Sequence, residues 1–220
     1  MSMELEAMMV RRAFDMTAAA LGLVVLSPLF LVLALLIRST SPGPAFFRQE
    51  RVGLHGRPFR MFKFRSMRHD AEAHGGQLTV GADPRVTRVG SVIRRYKLDE
   101  LPQLINVLRG EMALVGPRPE VPRYVALYDE RQRQVLEMRP GVTDPASIVY
   151  RGESELLASS SDAEATYVNS IMPHKLELNL EYLARRTLVS DIGVLFATVV
   201  KLAKRDADGF FLPETKQQRT

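Results

Sequence analysis

Three short stretches hold residue types that can act on phosphate. The first is KLDELPQL, residues 97–104, where Asp99 and Glu100 fall in the predicted first turn of a helix, with Pro102 inside that turn. On spacing alone this is a capped helix: Asp is a good N-cap, acids complement the positive helix end, and proline belongs near the start. A helix N-terminus also attracts phosphate, and a carboxylate beside a phosphate could attack phosphorus or hold Mg²⁺. The second stretch, LVGPRPE, residues 114–120, sets Arg118 between Pro117 and Pro119. Both prolines have a fixed φ, and the second keeps Arg118 out of the helical region, so the backbone is stiff. That suits a rigid surface turn or a preorganised clamp, because a guanidinium binds phosphate oxygens in pairs. The third is FKFRSM, residues 62–67. On a strand, Phe62, Phe64 and Ser66 face one way and Lys63 and Arg65 the other. This is either an ordinary amphipathic strand or two cations turned into a phosphate site.

The elements that must hold these residues follow from periodicity and turn signals. Residues 45–67 alternate partly around the turn Gly53–Gly56 and predict a β-hairpin. Arg48 to Arg68 carries seven Lys/Arg and one acid, Glu50, a basic strip suited to solvent, anionic headgroups or phosphate. Residues 70–85 are polar and Gly-rich and predict a mobile loop. Leu98, Leu101, Leu104, Ile105 and Leu108 then form a helical stripe that Gly110 stops. EMALV reads as a short strand. From residue 119 the pattern is helical: PEVPRYVALYDERQRQVLEM, then EATYVNSIMPHKLELNLEYLARR interrupted near Pro173, then the amphipathic DIGVLFATVVKLAKR. Residues 206–220 read as a frayed tail.

Ahead of all this, Thr17–Ile37 runs 21 residues without a charge. As a helix it reaches about 31 Å, one hydrocarbon thickness. Ser27 and Pro28 sit near its middle. Pro28 removes a helix hydrogen bond and bends the chain, and the Ser27 hydroxyl can satisfy a carbonyl so freed. Basic flanks lie on both sides, Arg11 and Arg12 before, Arg38 and Arg48 after, which gives no orientation for a span but suits a segment whose ends share one face. A kinked span and a re-entrant segment both fit these features. A cleaved signal peptide does not, because SPGPAFFRQ offers a poor cleavage site.

Composition removes several function classes. The chain has 220 residues and no cysteine, which excludes disulfides, thiolate metal sites and thiol catalysis. Its four histidines make no helical zinc pattern. The net charge of +5 suits anionic partners. Nucleic acid is not expected, because the aromatics mostly fall in apolar stripes. A polytopic lipid-phosphate transferase is excluded by the single apolar run.

Taken in order, RRAFD, the Ser27–Pro28 helix, RVGLHGRPFRMFKFRSM, DPRVTRVGSVIRRYKLDELPQLINVLRGEMALVGPRPE and MRPGVT resemble the monotopic phosphoglycosyl transferases, or bacterial sugar transferase family, from Arg11 to about Lys204. The resemblance implies an α+β, mainly helical monotopic membrane protein: a re-entrant helix-break-helix within residues 1–40, a catalytic domain over 41–205 with a small hairpin beside the site, and the tail. It implies that Asp99 is the nucleophile, attacking the β-phosphate of a UDP-sugar to release UMP. Polyprenol phosphate then takes the sugar-phosphate from the aspartyl intermediate. Glu100 completes the catalytic pair, Mg²⁺ is required with Asp99 or Glu100 near it, and Lys63, Arg94 and Arg118 match cationic positions of the family. With Arg65 they make the expected phosphate-binding set. The implied setting is the cytoplasmic face of a bacterial inner membrane, upstream of other glycosyltransferases in glycoconjugate or exopolysaccharide synthesis. Apolar faces on the last helices permit a homodimer. The pattern departs after Thr143: Asp144 stands where a glycine is usual, 144–169 diverges, and Asn179 replaces a common Asp. These departures bear on donor identity more than on reaction class. The alternative is a member that kept the fold and lost the chemistry, which intact Asp99, Glu100, Lys63 and Arg118 argue against.

Overall fold

Alternation in residues 46–64 produces the expected hairpin. Strands β1 (Phe46–Val52) and β2 (Pro58–Phe64) pair antiparallel, with Phe46 opposite Phe64 and Phe47 opposite Lys63. The turn between them needs left-handed backbone at His55 and Gly56. The structure, a computed structural model, describes residues 2–71, 76 and 78–203. The expected tail at 206–220 and residues 72–75 and 77 of the expected loop lie outside the described residues. In the rest of that loop Arg85 pairs with Asp83 at 2.6 Å and donates to the carbonyls of Gly76 and Leu78.

Helix α1 (Ser2–Thr40) precedes the hairpin. Among the described residues it alone is long and apolar enough to cross a membrane. The expected break does not interrupt it: α1 runs through Ser27 and Pro28. The physical reason is local. Pro28 has no N–H to offer the Val24 carbonyl, and Ser27 Oγ donates to that carbonyl instead, at 2.8 Å. One side of α1 packs against the rest of the protein. Phe14, Ala18 and Ala19 join one core cluster, and Leu29, Phe30, Leu33, Ala34 and Ile37 join another, with Phe64 and Ile93. The other side leaves Leu21, Val24, Val25, Leu31, Val32 and Leu35 exposed.

After the loop come α2 (Arg88–Arg95), a 3₁₀ turn at Leu98–Glu100, and α3 (Gln103–Leu108). Thr87 caps α2 by accepting from Gly90 N at 2.9 Å. Gly110, at φ +83°, ends α3 as its spacing predicts. Arg12 reaches across from α1 to the carbonyls of Val107 (2.6 Å) and Met112 (3.2 Å) at that end.

EMALV yields β3 (Ala113–Val115), which pairs in parallel with β4 (Gly141–Thr143). The pairing is close: a Cβ at Gly116 would meet the Arg139 carbonyl, and one at Gly141 would meet Gly116 N. Between these strands the expected helix is fragmented into α4 (Pro122–Val125), α5 (Glu130–Arg133) and a 3₁₀ turn, Gln134–Glu137. A capping box on Asp129 starts α5 and so punctuates what the apolar spacing joins. Then follow α6 (Pro145–Val149), α7 (Glu153–Ala158), α8 (Ala163–Thr166), α9 (Met172–Ala184) and α10 (Leu188–Ala203). A π-helical turn at Tyr167–Ile171 precedes α9, and Pro173 sits in the first turn of α9, where the interruption is expected. Tyr124, Tyr128, Leu157, Tyr167 and Leu176 form the core beneath these helices.

Candidate active site

A cavity of about 1350 Å³ opens between the hairpin, the Leu98–Glu100 turn, the segment after β3, and helices α6, α7, α9 and α10. That is more than the roughly 300–1,000 Å³ of a typical small-molecule site. Lys63, Arg94, Asp99, Glu100 and Arg118 all line it.

Asp99 does not cap a helix. Lys97 adopts left-handed backbone (φ 55°), which turns the chain into the 3₁₀ segment, and α3 starts only after Pro102. Asp99 is 7% exposed, and its Oδ1 is buried without a hydrogen-bond partner. An unpaired buried carboxylate oxygen is unfavourable for folding, which makes Asp99 a candidate functional group. Burial, and next the neighbouring Glu100 charge, push its carboxyl above the ordinary range, against the pull of Lys63, Lys97 and Arg94.

Glu100 is held the opposite way. Arg118 grips both of its oxygens, Nη2 to Oε1 at 2.5 Å and Nη1 to Oε2 at 3.3 Å, and Lys63 Nζ lies 3.9 Å from Oε1. Burial would raise its carboxyl, but Arg118, Lys97 and Lys63 together hold it well below the usual range. Glu100 in turn keeps Arg118 firmly charged. Burial brings the Lys63 ammonium down to about 7, with Glu100 opposing and Arg118 and Arg51 adding to the fall. Two adjacent carboxylates therefore hold contrasting environments: one paired and stably ionised, one buried with a free oxygen.

Arg65 lines the same cavity, but its guanidinium is held at the end of α1. β2 ends at Phe64, so the alternation that would carry Arg65 to Lys63's face stops there. Its guanidinium donates to the carbonyls of Pro42 (2.6 Å), Ser41 (2.8 Å) and Ile37 (3.4 Å), closing the C-terminal end of α1. Arg94, in the last turn of α2, does face the cavity.

Two groups of contacts escape sequence reasoning. Arg51 donates to the Pro119 carbonyl at 3.0 Å and pairs with Glu120 at 3.1 Å, and Glu120 also takes the Tyr167 hydroxyl. This bolts the backbone after Arg118 to β1 and to the turn before α9. Glu153 and Lys175, 2.6 Å apart, line the far wall. Neither group has a local signature, because each joins residues 20 to 70 positions apart. Asp144 is not a ligand group: it is the N-cap of α6, accepting from Ser147 N at 2.9 Å and from Ser147 Oγ at 2.5 Å. Asn179 is buried and stands away from the cavity lining.

A family model described as bacterial sugar transferase matches residues 6–205. Over 195 residues the chain is 39% identical to the UDP-N-acetylgalactosamine-undecaprenyl-phosphate N-acetylgalactosaminephosphotransferase of Aeromonas hydrophila, covering 86% of this chain and 43% of that protein. It is 38% identical over 201 residues to the UDP-glucose:undecaprenyl-phosphate glucose-1-phosphate transferase of Escherichia coli (strain K12), covering 88% of this chain and 40% of that one. The chain thus spans less than half the length of these two relatives. It is also 38% identical over 200 residues to the exopolysaccharide production protein PSS of Rhizobium leguminosarum bv. phaseoli, covering 88% of this chain and 94% of that protein.

Proposed function

Because the chain belongs to the bacterial sugar transferase family, we propose that it moves a sugar-1-phosphate from a UDP-sugar to a polyprenol phosphate and releases UMP. The relatives' names supply the reaction class. The observation that carries the assignment to this site is Asp99, buried with an unpartnered oxygen in a cavity lined by Lys63, Arg94 and Arg118.

The Asp99 carboxylate attacks the phosphorus that bears the sugar. A new bond forms from its oxygen to phosphorus. The bond from that phosphorus to the bridging oxygen breaks, and UMP leaves with the electron pair. The oxygen of polyprenol phosphate then attacks the same phosphorus, and Asp99 departs as a carboxylate. Each step is one phosphoryl transfer, for which positioning and charge stabilisation suffice. Lys63, Arg94 and Arg118 meet the diphosphate, and Glu100 orients Arg118 while staying ionised.

Mg²⁺ fits this residue set through Asp99. It is commonly held by one or two carboxylates together with phosphate oxygens and water, and Asp99 has a free oxygen, whereas both Glu100 oxygens lie on Arg118. The expected pair of metal ligands thereby narrows to one. Bound there, the ion would draw charge off the diphosphate.

This reading includes association with the cytoplasmic face of a bacterial membrane, and what supports the membrane part of it is α1. Its first and second halves both pack on the same folded body. A straight crossing would drag that body into hydrocarbon, so the reading with both ends of α1 on one face is favoured. Support also comes from the exposed apolar side of the helix.

The test is UMP release by the full chain in detergent with Mg²⁺, undecaprenyl phosphate and a panel of UDP-sugars, with intact-mass spectrometry in the absence of acceptor. The expected result is UMP formation plus a phosphosugar adduct. UMP release without any adduct would overturn the covalent step.

A further inference from the structure

A second part of the cavity lining has a different character. Glu153 on α7 and Lys175 on α9 form an ion pair of 2.6 Å with side chains 26% and 13% exposed. A pair so far out of water adds little net stability, because desolvation offsets the attraction. Two apolar residues would join α7 to α9 as well. Their contact leaves capacity to spare: it uses one of two Glu153 oxygens and one of three Lys175 N–H groups. The other polar groups of this wall are committed. Ser147 Oγ donates to Asp144, Ser154 Oγ donates to the Thr79 carbonyl, and the Tyr150 hydroxyl bonds His174 Nδ1.

The pair is also near the reacting phosphate. Glu153 and Asp144 add to Glu100 in keeping Arg118 charged, so the Glu153 carboxylate lies within electrostatic reach of that arginine. In a nucleotide sugar the glycosyl group is bonded directly to the phosphate that Asp99 attacks, so the sugar must sit beside the same cluster.

We propose that Glu153 and Lys175 read the glycosyl group of the donor, and that the group they accept is a neutral, hydroxyl-bearing sugar. This rests on the transferase reading above. Sugar hydroxyls can donate to the free Glu153 oxygen and accept from the free Lys175 N–H groups. A carboxylate on the sugar would meet a like charge at Glu153, and an ammonium would meet one at Lys175.

The experiment uses the full chain in detergent with Mg²⁺ and undecaprenyl phosphate. UMP release is measured with neutral UDP-sugars and a UDP-uronate, for wild type, Glu153→Gln and Lys175→Met, with Lys175→Arg as a charge-retaining control for folding. Inhibition by UMP is measured in parallel. Glu153→Gln and Lys175→Met are expected to lower kcat/KM for the preferred neutral donor roughly tenfold or more, with UMP inhibition changed by less than about twofold. Glu153→Gln, which leaves Lys175 unpaired, is expected to raise the rate with UDP-uronate relative to the neutral donor. An equal loss of UMP affinity would assign the pair to the nucleotide and overturn the proposal. So would unchanged donor preference in folded variants, which leaves only a structural tie. Wild-type protein that releases no UMP from any donor would instead sink the transferase reading, and this inference with it.

Discussion

The two walls of the cavity solve different problems. The phosphate end gathers Lys63, Arg94, Lys97 and Arg118 around Asp99 and Glu100, and its titrating groups are displaced in both directions. The other end sets one acid against one base, Glu153 and Lys175. The first is suited to a ligand part that is always the same, a diphosphate. The second is suited to a part that varies between donors. Much of the first comes from one contiguous run, residues 94–118. The second joins α6, α7 and α9, short helices whose sequence departs from the family pattern.

If this division is right, damage at the phosphate end must hurt every donor alike. The largest effect belongs to Asp99→Asn, which keeps shape but removes the nucleophile. It is expected to cut UMP release at least about a thousandfold with any UDP-sugar, with circular dichroism and the melting profile unchanged or improved. Residual turnover whose donor ranking differed from wild type would break the comparison.

A smaller and more diagnostic effect belongs to Lys63. Its ammonium loses its proton near pH 7 in the free protein. Attraction for the diphosphate is therefore full below about 7 and is lost as pH rises through that value. kcat/KM, which reports the free enzyme, should fall on the alkaline side for all donors. Lys63→Arg keeps the charge and should flatten that limb. An alkaline limb that persists in the variant would assign the titration to another group.

The smallest effect on chemistry should come from Arg65, once grouped with Lys63 by strand alternation. Arg65→Met strips the end of α1 of buried charge-assisted hydrogen bonds, worth about 2–3 kcal/mol. The melting midpoint should drop by roughly 5–10 °C, while KM for the donor in the folded fraction stays put. A large rise in KM would return Arg65 to the phosphate site.

The contrast also explains what could be read from the chain. Arg118, the hairpin and the Gly110 stop were legible because local chemistry dictates them: prolines that stiffen a backbone, alternation, a glycine beyond a helix. Asp99 and Glu100 were singled out by the family resemblance, since spacing alone gave a helix cap that does not form. The partners of Arg65, the carbonyls of residues 37 to 42, were not legible, because they become neighbours only when the hairpin folds back on α1. The parallel pairing of β3 with β4 was hidden by the length of each strand, three residues apiece. Asp144 was noted only as a departure from a usual glycine, yet Asp followed by Pro145 is a legible helix start. The pair Glu153–Lys175 and the Tyr167–Glu120–Arg51 chain had no such signal. They are products of packing between distant segments.

The fastening of Arg65 to the end of α1 has a mechanical consequence. Lys63 lies two residues upstream of Arg65, and Arg65 is locked to Ile37, Ser41 and Pro42. No slack segment separates the apolar helix from the lysine that meets substrate. In a bilayer, the tilt or immersion of α1 is thereby transmitted to Lys63 without a hinge. Thickening or thinning the lipid should raise or lower the reaction plane as a whole and leave its internal distances unaltered. On the transferase reading, the helix would work as a gauge that sets the height at which soluble donor and lipid acceptor are brought together.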